Sequence, residues 1–441
     1  MESLERWLHR EYEYAATAML ASVSPVHLVQ ERPGFGQAVR AKRGSIVASP
    51  VLAAWDPEPD YFFHWYRDSA VVVDAMRMLY EDGTLADEAL VHLTEFVRFS
   101  LSLEVLDGGD LVASPSWRSR VRPEFRKYAR TDEDLAAVHG KRVAAEARVN
   151  PDGTLDISKW SRPQHDGSPL RALALLRWIR SGAVRSKLSP DALQDVFRLV
   201  RSDIEFTVAH WRAPSFDIWE EELGHHYYTL RVAAAALQEG ADWLAAEGRP
   251  EEGASLRVEV AEILRTLDGF WSEEGGYYRA RVLASGARSQ KELDISAILG
   301  VVHASARSGN HSVLDPRMHS TLQRLEALFD ASYAINRDRP RGRGPAMGRY
   351  AGDVYFSGGA YYFSTLGAAE FCFRAAAVAP NRREWMERGD AFLATVQAYT
   401  PESGELSEQF DQTTGAQTSA RHLAWSYAAL ISSAVARRAV S

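Results

Sequence analysis

The sequence predicts an all-α fold of twelve helices paired into six antiparallel hairpins. Three observations carry this. Apolar residues recur at helical spacing along most of the chain. The connections alternate between links of a few residues and long stretches rich in aromatic and acidic side chains. The 441 residues are 46% hydrophobic, enough to bury one large core.

The periodic segments fall near residues 3–22, 69–82, 86–106, 168–182, 189–211, 225–246, 250–272, 293–307, 316–332, 358–379, 381–399 and 419–438. Ser189-Pro190 supplies an N-cap followed by proline in the first turn, and Pro250 with Glu251 and Glu252 also reads as a first turn. Gly83 and Gly248 stand where a left-handed residue ends a helix. The links after the second, fourth, sixth and tenth helices are short, so those neighbours are antiparallel. In an array of hairpins alternate links lie at the same end, which collects the long links on one rim. Six such hairpins can close into a toroid with a funnel at that rim. Residues 108–159 break the pattern. They are predicted to form a long irregular excursion with a strand or hairpin about the Asp152-Gly153 turn, inside a single domain spanning residues 1–441. Residues 150–156 have turn chemistry without the ligand spacing of a calcium loop. Residues 337–344 read as a mobile, solvated loop.

Composition removes several classes of function. With 51 basic and 59 acidic residues the net charge is -8, which offers no footprint for nucleic acid or an anionic membrane. No stretch has the length of a membrane-spanning helix. The N-terminal residues lack the basic and apolar regions of a secretory signal, so the expected compartment is the cytoplasm. Cys372 is the one cysteine, which excludes an internal disulfide and a multi-cysteine metal site. The 12 tryptophans and 17 tyrosines suit stacking against sugar rings as well as core filling.

The segment 215–228 carries the most suggestive chemistry, with Asp217, Glu220, Glu221 and Glu222 gathered about Trp219. A carboxyl against an apolar wall has its charged form disfavoured, so it can hold a proton for a leaving oxygen. Glu220, directly after Trp219, is the candidate. Glu222 reads as a helix-start acid, and the pair His225-His226 as rim or packing groups. Glycosidic cleavage needs a second carboxylate. The long links offer Asp68, Asp166, Asp353, Glu405, Glu408 and Asp411, and spacing does not choose among them. Glu408 has Gln409 and Phe410 beside it and the hydroxyl and indole groups of residues 419–427 close behind.

At this point the chain resembles the glucoamylase family of inverting glycoside hydrolases, family 15. The matching pieces stand in the family's order: Pro59-Asp-Tyr-Phe-Phe-His-Trp-Tyr-Arg-Asp68, Trp160-Ser-Arg-Pro-Gln-His-Asp-Gly167, Asp217-Ile-Trp-Glu-Glu221, Ile298-Leu-Gly-Val-Val-His303, Gly348-Arg-Tyr350, Ser407-Glu-Gln-Phe410, Ser419-Ala-Arg421 and Trp425-Ser-Tyr427. The resemblance implies an (α/α)6 barrel, with Glu220 as general acid and Glu408 as general base. It implies that Arg67 and Asp68 grip the far hydroxyls of the non-reducing glucose and that Arg349 bonds the same sugar or its neighbour. Glu221 would bind the next sugar, Trp160 would cover the pocket, and Tyr61 and Ser419 would help place the water. Trp65 and Trp425 would shape the wall, Trp219 would stand beside the acid, and Asp217 would support it. The chain departs from the family at Ser357-Gly-Gly-Ala-Tyr361, where many members carry Asn-Gly-Asn-Pro-Trp, and at Phe63 and His64.

The expected activity is therefore exo-acting release of β-glucose from the non-reducing ends of short α-linked glucooligosaccharides, by a single displacement that needs no metal or other cofactor. An α-1,6-specific enzyme or a trehalase is the alternative within the class. A non-catalytic carbohydrate-binding regulatory barrel is the alternative outside it. The chain ends shortly after its twelfth helix, so no starch-binding module is expected.

Overall fold

The computed structural model describes residues 2–54, 57–114 and 116–441. Pro115, within the predicted excursion, lies outside the described residues, as do Met1, Trp55 and Asp56. Among the described residues twelve helices of nine or more residues follow the predicted order. They are α1 (Leu4–Leu20), α2 (Tyr66–Glu81), α3 (Glu88–Leu103), α4 (Gly167–Arg180), α5 (Pro190–His210), α6 (Tyr227–Ala246), α7 (Pro250–Asp268), α8 (Ser296–Ala304), α9 (Pro316–Ser332), α10 (Tyr362–Ala376), α11 (Arg382–Tyr399) and α12 (Ala424–Arg438). Ser189 Oγ caps α5 by accepting from the Ala192 N–H, and Pro250 opens α7. Gly83 and Gly248 hold φ of 80° and 78°, as helix ends of this kind require.

The even-numbered helices form a closed inner ring. Helix α2 packs on α4, α4 on α6, α6 on α8, α8 on α10, α10 on α12, and α12 returns to α2. The odd-numbered helices form the outer layer, with α7 on α6, α11 on α10, α3 against α2 and α5, and α1 against α12 and α11. This is an (α/α)6 barrel. The sequence carries the distinction between layers. In α10 the whole run from Tyr362 to Phe373 is buried, because an inner helix is touched on every side. In α5 burial is confined to a stripe that includes Ala192, Val196, Leu199, Val200 and Asp203.

The long links preceding the inner helices are irregular and carry short antiparallel strands. Residues 64–65 pair with 148–149, residues 223–226 with 215–216 and 281–283, and residues 407–410 with 360–361 and 417–421. The excursion holds the expected turn, with Gly153 at φ 82° and a bridge from Val149 to Leu155. Its remainder is more helical than predicted, with one-turn helices at 108–113, 116–120, 123–128, 132–136 and 140–145. These are too short to show a periodic apolar stripe. Residues 337–344 are not simply solvated: Arg339 pairs with Asp330, and the Gly344 N–H donates to the Ala391 carbonyl at 2.8 Å.

Candidate active site

Five of the six links into the inner ring bring side chains to one cavity of about 460 Å³ at the loaded rim. The link into α2 contributes Tyr61 and Trp65, and the first turn of α2 contributes Arg67 and Asp68. The link into α4 contributes Trp160, that into α6 Trp219, Glu220 and Glu221, that into α10 Arg349 and Tyr355, and that into α12 Glu408. Trp425 follows in the first turn of α12.

Glu220 is carried by a tight hairpin. Ser215 and Phe216 pair with Gly224 and Leu223, and the Glu220 N–H closes a turn on the Asp217 carbonyl at 2.9 Å. Asp217 Oδ1 accepts from the N–H groups of Glu221 and Glu222 at 2.7 and 3.0 Å, while Oδ2 accepts from Arg281 at 3.0 Å. Burial alone would raise the Asp217 carboxyl, but the Arg281 guanidinium holds it below its ordinary range. The loop leaves Glu220 at φ 67°, a left-handed conformation that L side chains adopt at a cost of order 1–3 kcal/mol. Its Oε1 accepts from Trp65 Nε1 at 2.9 Å and from Arg67 Nη2 at 3.2 Å, and its Oε2 from Trp160 Nε1.

Glu408 comes from the middle strand of the 360–361, 407–410, 417–421 sheet. The register shifts there: Ser407 faces Arg421 but Gln409 faces Thr418, so the 417–421 strand holds one extra residue opposite Glu408. Ser419 lies in that bulge at φ 64° and donates its hydroxyl to Glu408 Oε2. Tyr61 Oη stands 3.4 Å from both Glu408 oxygens and 2.8 Å from Tyr355 Oη. Burial pushes the Glu408 carboxyl up to about 7, offset in part by the Ser419 hydrogen bond and the Arg349 charge. Asp68 is pushed up to about 6 by burial, against the pull of Arg67.

The walls are aromatic and cationic. Phe363 and Trp425 stack at 4.4 Å and 9°, and Trp219 lies nearly parallel to Trp425 at 6.4 Å. Trp219 Nε1 donates to Asp294 Oδ2 at 2.8 Å, which fixes the indole beside the acid loop. Arg67 reaches Gln164 and Asp166, both at 3.2 Å. Arg67 Nε and Trp425 Nε1 are buried and without a hydrogen-bond partner among the described residues. Arg349 bonds both Asp353 oxygens at 2.6 Å and stands 3.3 Å from Glu221 Oε1.

Of the residues singled out from the sequence, Tyr61, Trp65, Arg67, Asp68, Trp160, Trp219, Glu220, Glu221, Arg349, Glu408 and Trp425 line this cavity together. Asp217 and Ser419 stand behind it, bonded to the loop and to Glu408 respectively. Of the six rim acids offered as partners for Glu220, the cavity takes Asp68 and Glu408. Asp166 and Asp353 instead bind Arg67 and Arg349, and Asp411 caps its own turn through the N–H groups of Thr413 and Thr414. Glu222 is not a helix-start acid: it precedes strand 223–226 and pairs with Arg281 at 3.0 Å and Ser289 at 2.7 Å. His226 is buried with Nε2 against the Ser215 carbonyl at 2.9 Å, a packing role as expected. At the family departures, Tyr361 is buried on Gln409 and Asp353, Phe63 lies between the guanidinium groups of Arg32 and Arg148, and His64 Nδ1 accepts from the Ile46 N–H.

Tyr355 and the whole link into α8, residues 269–295, are not among the residues expected from the sequence. That link supplies Arg281, Lys291 and Asp294, and Arg281 ties together Asp217, Glu222 and Asp294. The alternation of links was the signal that would have found it, since every other long link feeds the cavity.

Two carboxylates on separate rim links, set among indoles at the mouth of an (α/α)6 barrel, are the parts a helical-barrel glycoside hydrolase needs. The sequence model described as "Glycosyl hydrolases family 15" matches residues 145–387 and 384–435, and the chain belongs to that family. It is 26% identical over 455 residues to a glucoamylase of Blastobotrys adeninivorans, covering 90% of this chain and 68% of that protein. It is 26% identical over 479 residues to a protein of Schizosaccharomyces pombe named probable glucoamylase, covering 99% and 93%. The fold matches the family 15 glucoamylase structure from Hypocrea jecorina with a TM-score of 0.79 at 24% identity, over 99% of this chain and 73% of that one.

Proposed function

We propose that this enzyme is an exo-acting α-glucan glucohydrolase that releases β-glucose from non-reducing chain ends with inversion. One observation carries the reading: Glu220 and Glu408 line the same cavity from different elements, each with its own set of orienting donors. In this mechanism Glu408, set by Ser419 and Tyr61, takes a proton from a water as that water attacks the anomeric carbon. Glu220 delivers a proton to the departing glycosidic oxygen, the bond to that oxygen breaks, and no covalent intermediate forms. A base poised near neutrality suits this task.

Arg67 and Asp68 take the far hydroxyls of the first glucose. Trp425 Nε1 is buried without a hydrogen-bond partner among the described residues, and Arg67 Nε has only the Asp68 carboxylate at 3.7 Å, which fits a polar ligand in this part of the cavity. Glu221 and Arg349 serve the second sugar.

The test is glucose release from maltose, isomaltose, panose, trehalose and soluble starch, with the anomer followed by NMR. Maltose and starch should be the better substrates, and Glu220→Gln or Glu408→Gln should lower kcat by about 10²- to 10⁴-fold. A product of α configuration overturns inversion. Sugar binding without hydrolysis by the wild type overturns the enzymatic reading.

A further inference from the structure

Among the described residues, Glu221 is the acid of the 217–222 loop that both lines the cavity and meets a lysine. Lys291 Nζ stands 2.7 Å from Glu221 Oε2 and 4.7 Å from the centre of the Tyr350 ring. Tyr350 Oη donates to the same carboxylate, 2.7 Å from Oε1 and 2.6 Å from Oε2. The lysine is delivered there by a built scaffold. Its backbone N–H donates to Ser289 Oγ at 2.9 Å, and Ser289 Oγ donates to Glu222 Oε2 at 2.7 Å, which bolts the link into α8 onto the acid loop.

The pair is placed for a ligand. The Lys291 and Glu221 side chains are 27% and 25% exposed, and an ion pair that open adds little to fold stability. An ammonium has three donors, and Glu221 takes one. A charged acceptor beside a charged donor can serve two neighbouring hydroxyls at once, and charge-assisted hydrogen bonds are the strong ones.

We propose that Lys291 and Glu221 form a clamp for a vicinal diol on the leaving sugar. One hydroxyl donates to Glu221 and its neighbour accepts from Lys291. This rests on the reading of the cavity as a glucoside site and makes Lys291 a determinant of which leaving group is accepted. An aryl leaving group has no diol and gains nothing from the clamp.

The experiment compares kcat/KM for maltose with that for 4-nitrophenyl α-glucoside in wild type, Lys291→Met and Lys291→Arg. The expected result is that Lys291→Met lowers the maltose-to-aryl ratio by about tenfold or more, the scale of one hydrogen bond to a charged group. The loss should sit mainly in KM, and Lys291→Arg should recover part of it. An unchanged ratio overturns the clamp, whether both rates hold or both fall. Maltotriose affinity, measured by calorimetry on Glu408→Gln with and without Lys291→Met, separates this from the parent reading. If the wild type cleaves neither substrate the glucohydrolase reading fails, while a tenfold weaker affinity still supports the clamp; equal affinity, or none, overturns it.

Discussion

At the scale of single residues, the proposed general base Glu408 should set the pH behaviour. Its carboxyl is raised by burial to about 7, and a general base works only when ionised. Activity should therefore be lost as pH falls through the region of 7, with the acidic limb of kcat/KM above the ordinary carboxylate range. The Ser419 hydrogen bond lowers the Glu408 value, so Ser419→Ala should move that limb to still higher pH. A pH–rate profile of the two proteins checks both statements, and a limb that stays put in the variant contradicts the assigned contact. Glu220 was legible in the sequence because an acid beside an indole is a local pattern. Glu408 was singled out by its matching motif, not by spacing, since its phenol neighbour Tyr61 lies 347 residues away. Lys291 was not legible at all: its partner Glu221 lies 70 residues away, and neither residue names the other.

At the scale of elements, the hairpins of the rim decide where the chemistry points. Gly224 sits in the 223–226 strand against 281–283, where a Cβ would come 2.4 Å from the Val282 carbonyl oxygen. Gly224→Ala should part these strands and displace the Glu220 loop. The expected cost is about 1–3 kcal/mol in a urea-unfolding measurement, with a fall in glucose release larger than the stability loss explains. A variant as stable and active as wild type would show that the strand pairing does not hold the acid in place. The boundaries that periodicity misjudged fall on such elements. Helix α12 begins at Ala424 and not near 419, because residues 417–421 pair as a strand. Helix α10 begins at Tyr362 and not near 358, because residues 360–361 pair as a strand. Two- to five-residue strands are too short for a period-2 pattern to register beside a long helical one.

At the scale of the whole molecule, the ring closes where α1 packs on α12, and Glu11 of α1 is fully buried near that seam, close to Tyr14, Tyr362 and Tyr427. Neither Glu11 carboxyl oxygen has a hydrogen-bond partner among the described residues, and burial pushes the group up to about 8. The folded protein thus keeps this proton to about pH 8, while the unfolded chain releases it near the ordinary value of 4.5. Stability should fall as pH rises across that interval, by on the order of 5 kcal/mol in total. Glu11→Gln should remove this fall, and urea midpoints measured from about pH 5 to 9 would refute the idea if both proteins declined in parallel. By itself the sequence determined the twelve helices, their pairing into antiparallel hairpins, and the rim to which the loaded links run, because helical period and link length are local properties of the chain. It also determined, by motif, most of the cavity-lining residues. Only the tertiary structure decided that Asp166 and Asp353 hold the cavity's arginines, and that the link into α8 supplies the scaffold of the acid loop. Those assignments depend on contacts between segments far apart in sequence, which exist only once six hairpins have closed into a ring.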